Sequence, residues 1–300
     1  MKNFKTFMMK RKREDYLPPD YYIKLLKTYS FSGITDIEIF DNVLKKISTP
    51  FKAMEFGCGT GRGTIQFLKR YPQSDLDILD LSTEMLDYSR KNYAIHNAIL
   101  SDSLNYMQSC NENYDFCFSL WSFSHSVHQH LERFKTEEQG KSHIHNILKK
   151  FIENNLNNNG KFFIIHFDSQ SDEQKILMKQ WAKKSYVYDR GNKLSLSLEA
   201  IKDSLEILKS QNLINYQIEH LFGDPIYYDS MEEALEIFLN FHLEGEFNNC
   251  SEDKWNSTVK EVEIDLQNFT LADILFLIPL YIFEHKCRGL SLGFLISIFP

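Results

Sequence analysis

Hydrophobic positions along the chain fall into two alternating patterns: short continuous apolar runs, and longer stretches with an apolar residue every three or four positions. The runs at 51–57 (FKAMEFG), 75–82 (DLDILDLS), 98–102 (AILSD), 114–121 (YDFCFSLW), 161–169 (KFFIIHFDS), 216–222 (YQIEHLF) and 290–299 (LSLGFLISIF) read as strands. Between them, Ile65 and Leu68 mark a helix face beginning near Gly61, and Ser82 is an N-cap for TEMLDYSRKNY. Ile144, Ile147, Leu148, Phe151 and Leu156 recur at helical spacing, with NNLNNNG (154–160) as the helix end and Gly160 closing it. LEAIKDSLEILKSQ (198–211) is a further helix. Such alternation predicts an α/β fold, a mostly parallel sheet with helices on both faces. Two segments stand outside it. Residues 1–47 are helical in part, around DYYIKLLKTY, and 231–285 carry helical spacing at Met231, Leu235 and Phe238, then Trp255, Val259, Val262 and Leu266. The second is too long for a connection and reads as a helical insertion before the last strand. The core then comprises 48–230 and 286–300.

Composition narrows the function classes. The 300 residues are 43% hydrophobic and 25% charged, the proportions of an ordinary globular protein. A net charge of −7 gives no field favouring nucleic acid or an anionic membrane. The opening MKNFKTFMMKRKRED is basic but lacks the apolar core of a signal peptide, and reads as a solvated terminus. LADILFLIPLYIF (271–283) is interrupted by Asp273 and Pro279 and is too short to span a bilayer; a buried helix pair is expected there. Five cysteines (58, 110, 117, 250 and 287) without a CxxC pair suit a reduced, cytoplasmic protein. Nothing in the composition speaks to oligomeric state.

The chemistry concentrates after the first run, where MEFGCGTGRG (54–63) places four glycines in seven positions. Backbone that permissive is expected where a helix starts hard against a strand or a ligand lies on the turn. The dinucleotide pattern GxGxxG is absent, since counting from Gly57 its third glycine is Arg62, and so is the phosphate loop GxxxxGK[ST]. What stands there is Glu55-x-Gly57-x-Gly59-x-Gly61. With its neighbours this resembles the class I S-adenosylmethionine-dependent methyltransferases, over roughly 50–170 by motif and in the final strands by topology. The resemblance implies a Rossmann-like, seven-stranded sheet and S-adenosylmethionine as cofactor. It casts Glu55 as the acid of the first motif, with Gly57, Cys58, Gly59 and Gly61 bringing backbone to the methionine part of the cofactor. It gives Asp80 the ribose hydroxyls, a task for a group that accepts two hydrogen bonds at once. Leu81 and Met85 would flank the adenine, Asp102 followed by Ser103 would accept from its amino group, and Ser119 would line the methionine side.

Methyl transfer from a sulfonium is an in-line displacement, so alignment is its main demand, and a base helps only a poor nucleophile. Directly after the fourth run comes WSFSHSVHQH (121–130), where His125 and His128 share a helix face. His166 and Asp168 end the fifth run on the same rim of the sheet. One of His125, His128 and His166 is expected to act as general base or to orient the acceptor; the alternative is that all are polar rim residues. With His130, His143 and His145 the imidazoles are numerous, but no Cys or carboxylate sits among them at zinc spacing, so no metal is expected. A small-molecule acceptor is expected rather than nucleic acid or membrane: no basic stripe is evident, and Ser119-Leu120-Trp121-Ser122 stands where base- and glutamine-methylating relatives carry a Pro-Pro-Tyr motif. Aromatics in the two outlying segments (Tyr16, Tyr21, Tyr22, Phe238, Phe241, Phe247, Trp255) would form a lid over that acceptor. Two alternatives stay open: a macromolecule methyltransferase docking through KRKR at 10–13, and a non-catalytic module that binds the cofactor as a partner subunit.

Overall fold

The chain enters through α1 (Pro19–Leu25), a hairpin of β1 (Ser30–Phe31) and β2 (Ile34–Thr35), and α2 (Asp36–Leu44). The start of α2 is fixed reciprocally: the Thr35 hydroxyl accepts from Glu38 N–H at 3.2 Å, and the Glu38 carboxylate accepts from Thr35 N–H at 2.8 Å. The computed structural model describes residues 17–26, 28–167, 171–191, 193–243, 250–270, 276–277 and 293–299. Residues 1–16 of the expected lid, Asp168, Phe247, and 271–275 and 278–292 lie outside the described residues.

Strand and helix then alternate as the hydrophobic pattern requires: β3 (Lys52–Phe56), α3 (Arg62–Arg70), β4 (Asp75–Asp80), α4 (Thr83–Asn92), β5 (Asn97–Leu100), α5 (Ser103–Ser109), β6 (Tyr114–Leu120), α6 (Phe123–Leu131), α7 (Glu137–Asn155) and β7 (Leu156–Phe167). The second half adds α8 (Asp172–Trp181), α9 (Leu196–Ser210), β8 (Asn215–Leu221), β9 (Pro225–Ile226), α10 (Met231–Ile237), α11 (Glu252–Thr270), β10 (Phe276–Leu277) and β11 (Gly293–Phe299). The sheet runs β5-β4-β3-β6-β7-β11-β8. Parallel pairing unites five neighbours, β5 to β7, while β11 joins β7 on one side and β8 on the other by antiparallel pairs. The result is an α/β fold whose parallel central sheet is flanked by helices. Because the chain moves outward from β3 to β5 and then returns to β6, the order reverses at β3/β6. That opens a crevice beyond their carboxyl ends.

Each face of the sheet buries its own core. One gathers Met54, Phe56, Phe123, Ile147, Phe151, Phe162, Ile201 and Leu205 under α5, α6, α7 and α9. The other gathers Phe40, Ala53, Phe67, Ile78, Phe116, Phe118 and Ile165 under α2 and α3. Leu235, Phe238, Val262 and Leu266 form a smaller cluster with Ile176 and Leu177, so the insertion packs on α8.

Two local expectations are corrected. The helix over 144–156 stops at Asn155, whose side-chain amide donates to the Cys110 and Glu112 carbonyls at 3.1 and 2.9 Å. Leu156 already belongs to β7, so Gly160 lies inside the strand rather than capping a helix; the asparagine run accommodates a left-handed Asn159 (φ 65°) and an irregular register between Tyr114 and Phe116. Within the apolar 271–283 stretch, Phe276–Leu277 pair antiparallel with Ile226 and Pro225 instead of lying in a helix.

Candidate active site

The glycine turn is built by close approach. A Cβ on Gly57 (φ 71°) would lie 1.9 Å from the Ser122 hydroxyl, and one on Gly61 (φ 87°) would lie 2.2 Å from the Tyr93 ring. Those two glycines let the end of β6 and the end of α4 close on the turn. Gly61 serves packing against Tyr93 and does not itself line the cavity, although its neighbours Thr60 and Arg62 do. Space is open above Gly59, and its N–H donates to Asp80 Oδ2 at 2.8 Å.

Beyond the strand ends lies a cavity of about 280 Å³. Along one stretch it is walled by Glu55, Gly57, Cys58, Gly59, Asp80, Leu81, Met85, Asp102 and Ser103, nine of the eleven residues expected to meet a cofactor. Asp80 ends β4, and its Oδ1 accepts from Ser82 N–H at 2.9 Å; burial raises its pKa against these backbone hydrogen bonds. Glu55 is buried at the end of β3 and accepts from the Thr64 hydroxyl; burial pushes its carboxyl up to about 8. Asp102 caps α5, accepting from Asn105 N–H at 2.9 Å. It also accepts from the Ser126 hydroxyl at 2.6 Å and from His130 Nε2 at 2.8 Å. Burial opposes its ionisation, yet the His130 and Ser126 hydrogen bonds hold it below the ordinary carboxylate range.

Ser119 does not line the cavity. It is fully buried beneath the turn, its hydroxyl donating to the Phe56 carbonyl at 2.8 Å, and Ser122 faces the cavity instead. The pleat explains this: with Leu120 turned to the cavity, Ser119 must point the other way.

The cavity continues along α6, where His125 and His128 both line it. His128 packs on the Tyr188 ring at 4.9 Å, and its buried Nε2 has no hydrogen-bond partner among the described residues. Burial, then the neighbouring His166 and His125, keep its pKa well below that of an ordinary histidine, so it stands neutral at pH 7. Phe167 faces the cavity, while His166, one residue earlier on β7, is fully buried and does not line it, though it stands near enough to His125 and His128 to interact with both. Its Nε2 lies 3.2 Å from the Ser197 hydroxyl and its Nδ1 against the Phe167 carbonyl, and burial lowers its pKa to about 4.

Tyr22 and Phe241 stand among the expected lid aromatics, whereas Asp36 and the α8 residues of the roof carry no advance sign in the sequence. Trp121 adopts φ 69° as β6 ends, a left-handed conformation unusual for a bulky residue. It is held there by its N–H on the Ile165 carbonyl (2.9 Å) and its indole N–H on Asp36 (2.8 Å). Asp36, fully buried at the start of α2, takes the Arg62 guanidinium on its other oxygen at 2.8 Å. The roof comprises Tyr22, Leu26 and Tyr29 from the N-terminal segment, Gln174, Leu177, Met178 and Trp181 from α8, and Phe241 from a π-turn after α10. Tyr22 and Phe241 touch ring to ring at 4.9 Å, and the Tyr21 hydroxyl donates to Glu236. Among the described residues no group of three or more His, Cys, Asp or Glu is arranged to hold a metal ion, and no helix is long and apolar enough to cross a membrane.

Comparison with known proteins fits this geometry. The methyltransferase domain family matches residues 53–138, from β3 to the start of α7. Over 90 residues the chain is 34% identical to malonyl-[acyl-carrier protein] O-methyltransferase 1 of Ilyobacter polytropus, covering 29% of this chain and 32% of that one. Over 47 residues it is 43% identical to the malonyl-[acyl-carrier protein] O-methyltransferase of Halalkalibacterium halodurans, 16% of this chain and 17% of the other. The matched stretch thus spans a third or less of either relative. Among solved structures, mycolic acid cyclopropane synthase CmaA1 in complex with S-adenosylhomocysteine and CTAB shares the fold, with a TM-score of 0.51, 11% identity and 94% of each chain covered. Residues 53–138, which carry the glycine turn, Asp80 and Asp102, thus form a methyltransferase domain by family match.

Proposed function

We propose that the protein transfers a methyl group from S-adenosylmethionine to an oxygen or nitrogen of a small-molecule acceptor, in the cytoplasm. The observation that carries this reading is a cavity that runs from the glycine turn, Asp80 and Asp102 to Trp121, His125 and His128 beneath an aromatic roof. Open space over Gly59 and acceptor oxygens at two strand ends fit an adenosine bearing an amino-acid arm. The bound cofactor supplies an electrophilic methyl group. Glu55, Gly57, Cys58, Gly59, Asp80, Leu81, Met85, Asp102 and Ser103 hold and orient it, which directs the reacting end toward α6. Trp121, Phe167 and the roof exclude water and hold the acceptor in line. His128, kept neutral by burial, suits orienting an acceptor, and the exposed His125 lines the same stretch of the cavity. The N-terminal segment and the 231–285 insertion act together as the lid, a reading supported by the Tyr22–Phe241 contact. The four cysteines of the described residues are free thiols, in keeping with a reducing compartment.

A second reading is favoured by the two relatives named for methylating a malonyl group on acyl-carrier protein: the acceptor is an acyl acid presented by a carrier. Arg62, the one Lys or Arg lining the cavity among the described residues, would suit a carboxylate. Free acids and their carrier-bound thioesters, assayed side by side with labelled cofactor, separate the two readings.

Calorimetry tests the shared part. S-adenosylmethionine and S-adenosylhomocysteine bind and NAD does not, and Asp80→Ala costs about 1.5–3 kcal/mol, the worth of hydrogen bonds to a charged group. Tight NAD binding, or an Asp80 variant indistinguishable from the native protein, sinks the assignment.

A further inference from the structure

Asp102 is engaged from three sides before any ligand arrives. A carboxylate offers about four acceptor positions. On Oδ1, two are taken by Asn105 N–H at 2.9 Å and His130 Nε2 at 2.8 Å; on Oδ2, one is taken by the Ser126 hydroxyl at 2.6 Å. One position on Oδ2 remains, and Asp102 and Ser126 both face the cavity. His130 does not line the cavity and is fully buried behind Asp102.

The proton on His130 is fixed by its neighbours. Asp102 only accepts, so Nε2 carries the hydrogen. Nδ1 then accepts from His143 Nε2 at 3.2 Å, and the Arg133 guanidinium stands 3.5 Å from the same atom. The His130 and His143 rings stack with centroids 5.4 Å apart at 15°, which ties α6 to α7 behind the strand end. Asp102 thus meets donors from α5 and from α6, with His143 and Arg133 behind His130.

We propose that His130 is a positioning residue for purine recognition: its Nε2–H, oriented by His143, turns Asp102 so that one Oδ2 lone pair is left for a ring amino group. This rests on the proposed cofactor reading and extends it to a residue outside the cavity. A site with one acceptor left takes an amino-purine and rejects its oxo counterpart, whose carbonyl oxygen would face a carboxylate oxygen. Without His130, Asp102 loses one donor that offsets its burial and protonates at higher pH. An added O–H then competes with the amino group for the remaining position. The variant should therefore lose affinity as pH falls, over a range where the native protein does not lose it through this residue.

The test measures binding of S-adenosylhomocysteine and its 6-oxo analogue, S-inosylhomocysteine, to the full chain at pH 7.5 and 6.0. Native protein should prefer the amino form. His130→Leu should weaken that ligand by about tenfold, narrow the preference, and weaken further at pH 6.0, while His130→Gln, which keeps an N–H toward Asp102, recovers most of it. A merely structural role would lower both ligands together and leave their ratio unchanged at both pH values; that result overturns the inference. If His130→Leu fails to fold, nitrogen NMR of the native ring decides: an Nε2–H tautomer whose signal moves with the amino ligand and hardly with the oxo one supports the proposal, and an Nδ1–H tautomer or an unmoved signal refutes it. Native protein that binds neither ligand refutes the cofactor reading itself, a result distinct from an unchanged ratio.

Discussion

Glu55 shows how burial sets the chemistry of a single residue. Its carboxyl is raised to about 8, first by loss of water, with the Thr64 hydroxyl pulling it down and Asp80 pushing it up. At pH 7 it is mostly protonated, so the site by itself carries less negative charge than its three acids suggest. A ligand bringing a cation beside it favours the carboxylate, and the proton must leave. S-adenosylmethionine should therefore release about one proton on binding at pH 7 and almost none at pH 9, where Glu55 is already ionised. Calorimetry in buffers of different ionisation enthalpy reads this directly, and Glu55→Gln should abolish it; buffer-independent heats at pH 7 count against the assignment. The stability sign follows too. A folded pKa above the unfolded 4.5 means that the contribution is complete below 4.5 and is lost as pH rises through about 8. Asp80 acts in the same sense, whereas Asp102, held low, contributes above its unfolded value and loses that contribution in acid.

Elements were largely legible because strand ends announce themselves. Asp80 and Asp102 close apolar runs, and both line the cavity. Side-chain direction at those ends was harder to read, since it depends on where the pleat stops: Ser119 and His166 each fell one residue out of phase with the cavity. Gly160 misled because a glycine after a helix-like run serves equally well in an irregular strand. Links between distant elements left no local pattern at all. Asp36 joins Arg62 on α3 and Trp121 after β6, positions 26 and 85 residues away. Removing that carboxylate strands an indole N–H and an Arg with 23% of its side chain exposed. Asp36→Ala should cost about 2–3 kcal/mol, less than for a wholly buried pair, because water partly solvates the guanidinium. Denaturant titration checks this, and a loss below about 0.5 kcal/mol would show the link to be dispensable.

At the scale of the molecule, the site is shared between a sheet that ends in acids and a roof supplied by segments far apart in sequence. The two differ in how they are held. The cofactor side rests on strand ends paired across the parallel sheet, with backbone N–H groups and buried carboxylates fixed in place. The roof rests on side-chain contact: Leu17, Leu25 and Ile237 form a small cluster of their own, joined by Tyr22 and Phe241. A cluster that small, set apart from the main cores, belongs with the parts of a fold that open at low cost. On the proposed reading the roof must open, because cofactor and acceptor have to enter the same cavity. Loosening the roof should then separate the two binding steps. Tyr22→Ala combined with Phe241→Ala should lower kcat/KM for the acceptor by about tenfold or more, since alignment and exclusion of water depend on closure. Affinity for S-adenosylhomocysteine should change by less than about threefold, since the expected cofactor contacts lie on the sheet side. Equal losses in both measurements would mean that the roof belongs to the cofactor site, and no loss in either would mean that the acceptor enters elsewhere.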